Sequence, residues 1–510
     1  MSTNFISRFL YVVFVAVYLT VLLHAADRSK SPLNILLITA DDMNYDALGV
    51  TGCKIANITP NLDSLASQGI LFKRAFVTAS VCQTSREVLM TGRYPHNNGG
   101  VGFIPINDDV PTLQESLDKA GYFKGIFAKV AHLAPIEKFH WNVIVEPAKL
   151  ISGRDPEKFY SCSTDFFAQA KAAGKPFFLM ANSQDPHRPF AGSDAENNAR
   201  RANQKFPSVS RTIQPSEVEI PGFLPDLPNI RKEVAEYYTS VHRCDETVGK
   251  ILQALKESGL EDNTLVMFLS DNGMSFPFSK TNVYRSSHQT PWIVRYPNVT
   301  KAGQVDETHF ISGIDFMPTI LEAAGLPTVE KMDGNSFLPL LKGEKQPSRN
   351  YVYTTFYQTS GKMDFPMRAI RTEQYGYLFS PWSDGELIFK NESQSGLTFN
   401  AMQKAASDDK YIADRVELFL KRVNDELYDY KNDPSALNNL VNDERLKEER
   451  DKLRQLMLKV MREANDPLVK SLESFIETGT PDNTGINIGQ AQRTDRQNQR
   501  RSNRQNDVNE

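Results

Sequence analysis

Cysteine is scarce in this chain: four residues in 510, at positions 53, 82, 162 and 244. That is too few for a disulfide-framed scaffold, and it leaves at most one bridge if Cys82 is diverted to chemistry. Net charge is nearly absent too, a formal −4 from 58 basic and 62 acidic residues. A chain so balanced exerts no general attraction on a polyanion. Nucleic acid is therefore not an expected partner, and any anionic ligand needs a local cationic pocket. A comfortable membrane span is also missing. The apolar run from Phe9 to Leu23, relieved only by Thr20, is shorter than a bilayer crossing needs. With Arg8 before it and His24-Ala25-Ala26 after it, it reads as an export signal over residues 1–25, an uncleaved anchor being the alternative. Export would deliver the chain to a periplasm, an extracellular space or a lysosomal lumen, depending on the host. Past Thr478 aliphatic residues nearly vanish, so residues 479–510 are expected to form a disordered polar tail.

What is present is the composition of a globular protein, 40% hydrophobic and 24% charged, long enough for one large α/β domain and a smaller second one. Asn34 to Ala40 is a continuous apolar run of strand length, as expected of a parallel strand buried on both faces. Phe177 to Ala181 and Thr264 to Leu269 repeat the pattern, and Tyr122 to Ala128 is a further, mainly apolar strand. Helices alternate with them. One has Thr59 as N-cap, Pro60 at its first position and Gly69 as its stop. Another opens with a Thr112/Glu115 capping box and ends at Gly121, and a long one spans Arg231 to Ser258. Alternation of this kind predicts a mostly parallel sheet between helical layers. After about residue 345 the rhythm changes to short aromatic segments, Tyr351 to Phe356 and Tyr375 to Phe379, then a charged helix from about Asp443 to Ala464. These predict a smaller C-terminal α+β domain, residues 346–475, with an antiparallel sheet.

Two of the predicted strands end in acids or an acid and an amide, Asp41-Asp42 and Asp271-Asn272, at the sheet edge where open α/β folds bind ligands. Oxygen donors of this kind suit a hard cation, Ca²⁺ more readily than Mg²⁺. The ordinary alternative for each pair is a turn or helix cap. Five cations form a second group: Arg86, Lys129, His132, His187 and Lys280. Three follow buried strands, a poor place for an idle charge. A histidine near its usual pKa would serve as a general acid at mildly acidic pH.

The stretch Ser80 to Asn98, SVCQTSREVLMTGRYPHNN, joins the two groups. A helix running to Gly92 would set Cys82 at its N-terminus, where the dipole lowers a thiol's pKa and gathers anions. The alternative is a buried or bridged cysteine. Cys82, Ser85, Arg86, Thr91, Gly92 and Arg93 stand in the spacing C-x-x-S-R-x-x-x-x-T-G-R, which resembles the signature of the type I sulfatases. Thr84 stands where that family usually has Pro or Ala.

The resemblance covers about residues 31–345, the expected catalytic domain, with a further family-like run from Glu426 to Leu440. It implies an alkaline-phosphatase-like α/β/α sandwich in which Cys82 is oxidised by a formylglycine-generating enzyme. The hydrated aldehyde would attack sulfur, forming a sulfate ester on residue 82, and its second hydroxyl would expel sulfate. Calcium would be held by Asp41, Asp42, Asp271, Asn272 and residue 82. Arg86 and Lys129 would hold the hydrate, assisted by His132, while His187 and Lys280 would bind the sulfate and protonate the leaving group. HNNGGV at His96, FFLMANSQDPHRPF at Phe177 and SDNGMSFPFSKTNVY at Ser270 look most like the heparan N-sulfatase branch. The implied substrate is a sulfated saccharide, cut at an N-sulfated glucosamine or a sugar O-sulfate. A phosphatase or phosphodiesterase of the same fold would use Ser or Thr as nucleophile, and a non-catalytic glycan-binding protein would keep Cys82 unmodified. Asn57, Asn298 and Asn391 begin N-x-S/T sequons.

Overall fold

The computed structural model describes residues 32–488, so the export-signal segment and most of the polar tail lie outside the described residues. Strands follow in the order β1 (Asn34–Ala40), β2 (Ile70–Phe72), β3 (Ala75–Phe76), β4 (Phe123–Phe127), β5 (Val143–Val145), β6 (Phe177–Asn182) and β7 (Thr264–Ser270). Then come β8 (Trp292–Arg295), β9 (Gln304–Asp306), β10 (Ile311–Ser312), β11 (Val352–Gln358), β12 (Asp364–Arg371), β13 (Tyr375–Phe379) and β14 (Asp425–Asp429). Eight of them form one sheet in the order β5-β4-β6-β1-β7-β8-β2-β9, in which β8 alone runs against the rest. The four apolar runs seen in the sequence become its centre, β4-β6-β1-β7.

These central strands are mainly apolar because both faces are covered. Leu36 and Ile38 of β1, with Val266 and Phe268 of β7, point into one core under the helices Pro156–Ala172 and Pro228–Glu257. Ile35, Leu37, Leu265 and Met267 point into the other, under the helices Cys82–Thr91 and Leu113–Lys119. A strand's two-residue period thus feeds two cores at once.

Local signals behave as their chemistry requires, with exceptions. The capping box forms: Thr112 Oγ1 accepts from the Glu115 amide at 3.3 Å and Glu115 Oε2 from the Thr112 amide at 2.7 Å. Thr59 flanks the helix Pro60–Ser67 without capping it, because its hydroxyl is taken by the Gly49 amide and Asp63. All four cysteines are free.

The C-terminal strands form the antiparallel sheet β11-β12-β13-β14. One face, with Tyr353, Ile370, Tyr377 and Leu427, packs under the helix Lys447–Glu463. The other, with Phe356, Phe365, Met367 and Leu378, joins the same core as β1 and β7. Residues 479–488 of the expected tail are in place. Asn483 bonds Pro381 and Ser471, and Ile486 packs against the cluster under the helix Lys447–Glu463, which is more apolar anchorage than the composition of the tail suggested.

Candidate active site

Register brings the first acids together. Because β1 and β7 run parallel with Ala40 level with Ser270, Asp41-Asp42 and Asp271-Asn272 leave the sheet side by side. Asp42 then turns into the left-handed region, φ 68°, and its amide donates to Asp271 Oδ1 at 3.1 Å. Segment 280–282 is clipped to the residues before Cys82 by two bonds. The Thr281 amide donates to the Ser80 carbonyl at 2.9 Å, and Ser80 Oγ to that of Asn282 at 2.6 Å. Cys82 itself opens the helix Cys82–Thr91, with Gly92 at φ 63° closing it. Every residue of this helix is buried.

Cys82 Sγ lies 3.3 Å from Asp41 Oδ1 and 3.9 Å from Asp42 Oδ1. Ligand atoms of Asp41, Asp42, Cys82 and Asp271 all lie within 4.8 Å of one another. Cations enclose them. Arg86 is fully buried and donates to Asp271 Oδ2 at 2.6 Å, Asn182 Oδ1 at 2.6 Å and Thr39 Oγ1 at 2.7 Å. Lys129 follows β4 with φ 52°, directly after Ala128 at the same angle, and its ammonium pairs with Asp41. Two consecutive left-handed non-glycine residues are costly, and such strain persists where surrounding structure imposes it. Lys280 sits 2.8 Å from Asp42 Oδ1 and 2.5 Å from Glu392 Oε1. His187 Nε2 is 3.9 Å from Asp42 Oδ2, while its Nδ1 meets the Arg188 carbonyl at 2.6 Å. His132 stands edge-on to Phe103, near enough to feel Lys129 and Arg86, with its buried Nδ1 unpartnered.

All ten residues singled out from the sequence therefore belong to one neighbourhood, but two expectations about their protonation are corrected. The Cys82 thiol is pushed well above its usual pKa by burial and by the charges of Asp41, Asp271 and Asp42, which outweigh Lys280 and the helix N-terminus. It is therefore a poor thiolate nucleophile. His187 is pushed down to about 4 by burial and the Lys280 charge, so it is neutral at mildly acidic pH. His132 is pushed down to about 2 by burial, then by Lys129 and Arg86.

The carboxylates bear on the metal question. Burial raises Asp42 to about 7, with the charge of Asp41 adding to it against Lys280. Burial and Asp41 raise Asp271 to about 6 against the pull of Arg86. Asp41 is raised by burial too, but Lys129, His187 and Arg86 hold it well below the usual range. Asn272 Oδ1 is buried without a hydrogen-bond partner, while its Nδ2 donates to Asp42 Oδ1 at 2.7 Å. Crowded carboxylates and an orphaned amide oxygen form an all-oxygen donor set that fits a hard divalent cation.

Three participants escaped the sequence reading. Thr39 and Asn182, on adjacent strands, tether Arg86, and Glu392 reaches Lys280 from the C-terminal region. Position at a strand end signalled the first two; nothing local marked Glu392. Asn391, which begins one of the three sequons, is turned inward. Its side-chain amide donates to Thr281 Oγ1 at 2.7 Å and its Oδ1 accepts from Ser393, so the side chain is engaged.

Residues 33–326 match the family model "Sulfatase", and residues 274–387 match "N-sulphoglucosamine sulphohydrolase, C-terminal". The chain is 30% identical over 476 residues to human N-sulphoglucosamine sulphohydrolase, covering 88% of this chain and 93% of the relative. It is 29% identical to an ulvan-active sulfatase of Formosa agariphila, covering 91% and 86%. A solved protein in complex with its substrate D-glucosamine-2-N,6-O-disulfate shares the fold, with a TM-score of 0.63 at 19% identity over 86% of this chain and 99% of that one. With more than half its length matched by the family model, this chain belongs to the sulfatase family.

Proposed function

We propose that this sulfatase releases sulfate from a sulfated glycan at an N-sulfated glucosamine, using residue 82 oxidised from cysteine to formylglycine and a calcium ion. The observation that carries the reading is the packing of Cys82 against Asp41, Asp42 and Asp271 inside a ring of Arg86, Lys129 and Lys280. A thiol held so far above its usual pKa is idle as it stands. The hydrated aldehyde, by contrast, supplies one hydroxyl for attack and a second for release. Asp41, Asp42, Asp271 and Asn272 Oδ1 would hold the calcium, which when bound supplies Lewis-acid polarisation of sulfate oxygens.

The chain's own residues do the rest. Arg86, fixed by three hydrogen bonds, holds positive charge at the nucleophile without reorganising during reaction. Lys280 and His187 both flank Asp42, where they bind the sulfate group and serve its leaving side. His187 starts neutral, and an anionic substrate beside it would raise its pKa toward proton donation. Cys82 is 2% exposed in the folded chain, so a formylglycine-generating enzyme would act on it before folding is complete.

N-sulfate is preferred as substrate because the human relative named for that activity aligns along nearly its whole length. Two measurements test the reading. Mass spectrometry of the tryptic peptide ending at Arg86 should find the aldehyde at residue 82; an intact thiol would favour a non-catalytic glycan-binding protein. Sulfate release should be faster from N-sulfoglucosamine than from sugar O-sulfates or aryl sulfates, and the reverse order would move the substrate to an O-sulfate.

A further inference from the structure

Glu392 is a carboxylate in the wrong place for an anion-binding site. It comes from the short turn Glu392–Ser395, which Asn391 fastens to Thr281. Its Oε1 lies 2.5 Å from Lys280 Nζ and 3.4 Å from Ser275 Oγ. Carboxylate oxygens of Glu392 and Asp42 and a ring nitrogen of His187 all lie within 4.8 Å of one another. Asp42 alone suffices as a counter-ion for Lys280, which it meets through both oxygens at 2.8 and 3.0 Å. A second acid there only weakens the hold of Lys280 on sulfate. Glu392 is moreover 27% exposed, whereas Asp41, Asp42 and Asp271 are sealed, so it faces whatever enters the site.

We infer that Glu392 is a specificity-determining residue that receives the positive charge of an amine leaving group; the inference rests on the N-sulfate reading above. For the S–N bond of an N-sulfated glucosamine to break, nitrogen first takes a proton from protonated His187 and carries positive charge while still bonded to sulfur; on cleavage it keeps the bonding pair, leaves as the neutral amine and takes a further proton from water to become ammonium. When an O-sulfate is cut, oxygen keeps the pair, takes one proton and leaves as a neutral hydroxyl. Only the first reaction builds positive charge on the leaving atom. A carboxylate beside His187 stabilises that charge in the transition state and offers nothing to the second reaction. The proton donor and the acceptor of the resulting charge are thus neighbours, and the same His187 ring also lies within 4.8 Å of Cys82 and Asp41, where the nucleophile would stand.

Glu392→Gln tests this, because the amide keeps the shape and a hydrogen-bonding oxygen while removing the charge. Sulfate release is measured for wild type and variant on N-sulfoglucosamine, glucosamine 6-O-sulfate and an aryl sulfate. The ratio between substrates within one preparation does not depend on how much of it is folded or carries formylglycine. The expected result is a fall in kcat/KM on the N-sulfate at least tenfold greater than on either O-sulfate, expressed mainly in kcat, with Glu392→Asp retaining most of the preference. Equal falls on all three substrates would overturn the inference and leave Glu392 as a positioning residue for Lys280. A wild-type enzyme active on O-sulfates but inert on N-sulfoglucosamine would instead remove the N-sulfate reading itself.

Discussion

Asp271→Ala is expected to damage this protein twice, once in catalysis and once in stability. The carboxylate is fully buried, with Oδ2 on Arg86 at 2.6 Å and Oδ1 on the Asp42 amide at 3.1 Å. Deleting it removes a proposed calcium ligand, and turnover should fall about 10²–10³-fold, a typical order for loss of a preorganised charge-stabilising group. It also leaves the Arg86 guanidinium inside the fold without its ion-pair partner, hydrogen-bonded only to the neutral oxygens of Thr39 and Asn182, with Asp41 as a neighbouring charge. Breaking a buried ion pair by removing one partner costs about 3–5 kcal/mol. For a total stability of about 5–15 kcal/mol the variant still folds, but with much of its margin gone. At a urea dependence of about 3 kcal/mol per molar, the unfolding midpoint should drop by ~1 M or more. The double substitution Arg86→Met with Asp271→Leu replaces the pair by apolar side chains. It should recover most of the lost stability while remaining inactive, because a buried pair is often no better than its hydrophobic replacement. Urea titration followed by tryptophan fluorescence, alongside sulfate release, reads both effects. Turnover of Asp271→Ala within tenfold of wild type would refute the site, and an unchanged urea midpoint would refute the energetic role of the pair.

Gly273→Ala should cost about 1–3 kcal/mol and most of the activity. The added Cβ would fall 1.9 Å from the Ser286 carbonyl oxygen and push against the backbone next to Asn272; a variant with wild-type melting temperature and rate would contradict this. His187 should stay neutral down to about pH 5 in the substrate-free, metal-free protein, titrating near 4 by NMR, and a value of 6.5 would refute the burial and Lys280 effects. Since its folded pKa lies below the unfolded one, its contribution to stability is complete above about pH 6.5 and is lost as pH falls toward 4. In a glycosylating host, glycopeptides should appear at the exposed Asn57 and Asn298 and not at Asn391, whose side chain is held by Thr281 and Ser393.

The central sheet was readable because β1, β4, β6 and β7 are buried on both faces and so write mainly apolar runs into the chain, interrupted in β4 by Lys124. The short strands β2, β5 and β9, of three residues each, carry no comparable signal. Asp41, Asp42 and Asp271 were legible because each follows such a run, and Cys82 because the residues after it repeat a known spacing. Protonation was not legible. The thiol of Cys82 and the ring of His187 depart from expectation because both are buried, and because Asp41 acts on the thiol and Lys280 on the ring from positions remote in sequence. Glu392 was invisible for the same reason: its meaning comes from Lys280, more than a hundred residues away in the chain.

The shared hydrophobic interior, in which Phe356, Phe365 and Leu378 of the antiparallel sheet touch the same cluster as Leu36 and Phe268, bears on how the polypeptide can be divided. Cutting near residue 345 would strip one wall from the catalytic half and leave those aromatic rings facing water, while also carrying off the loop that delivers Glu392. Neither fragment would then be a self-sufficient unit. Mutations far along the C-terminal sheet should consequently surface as losses of catalytic competence, without touching a single atom of the reaction pocket.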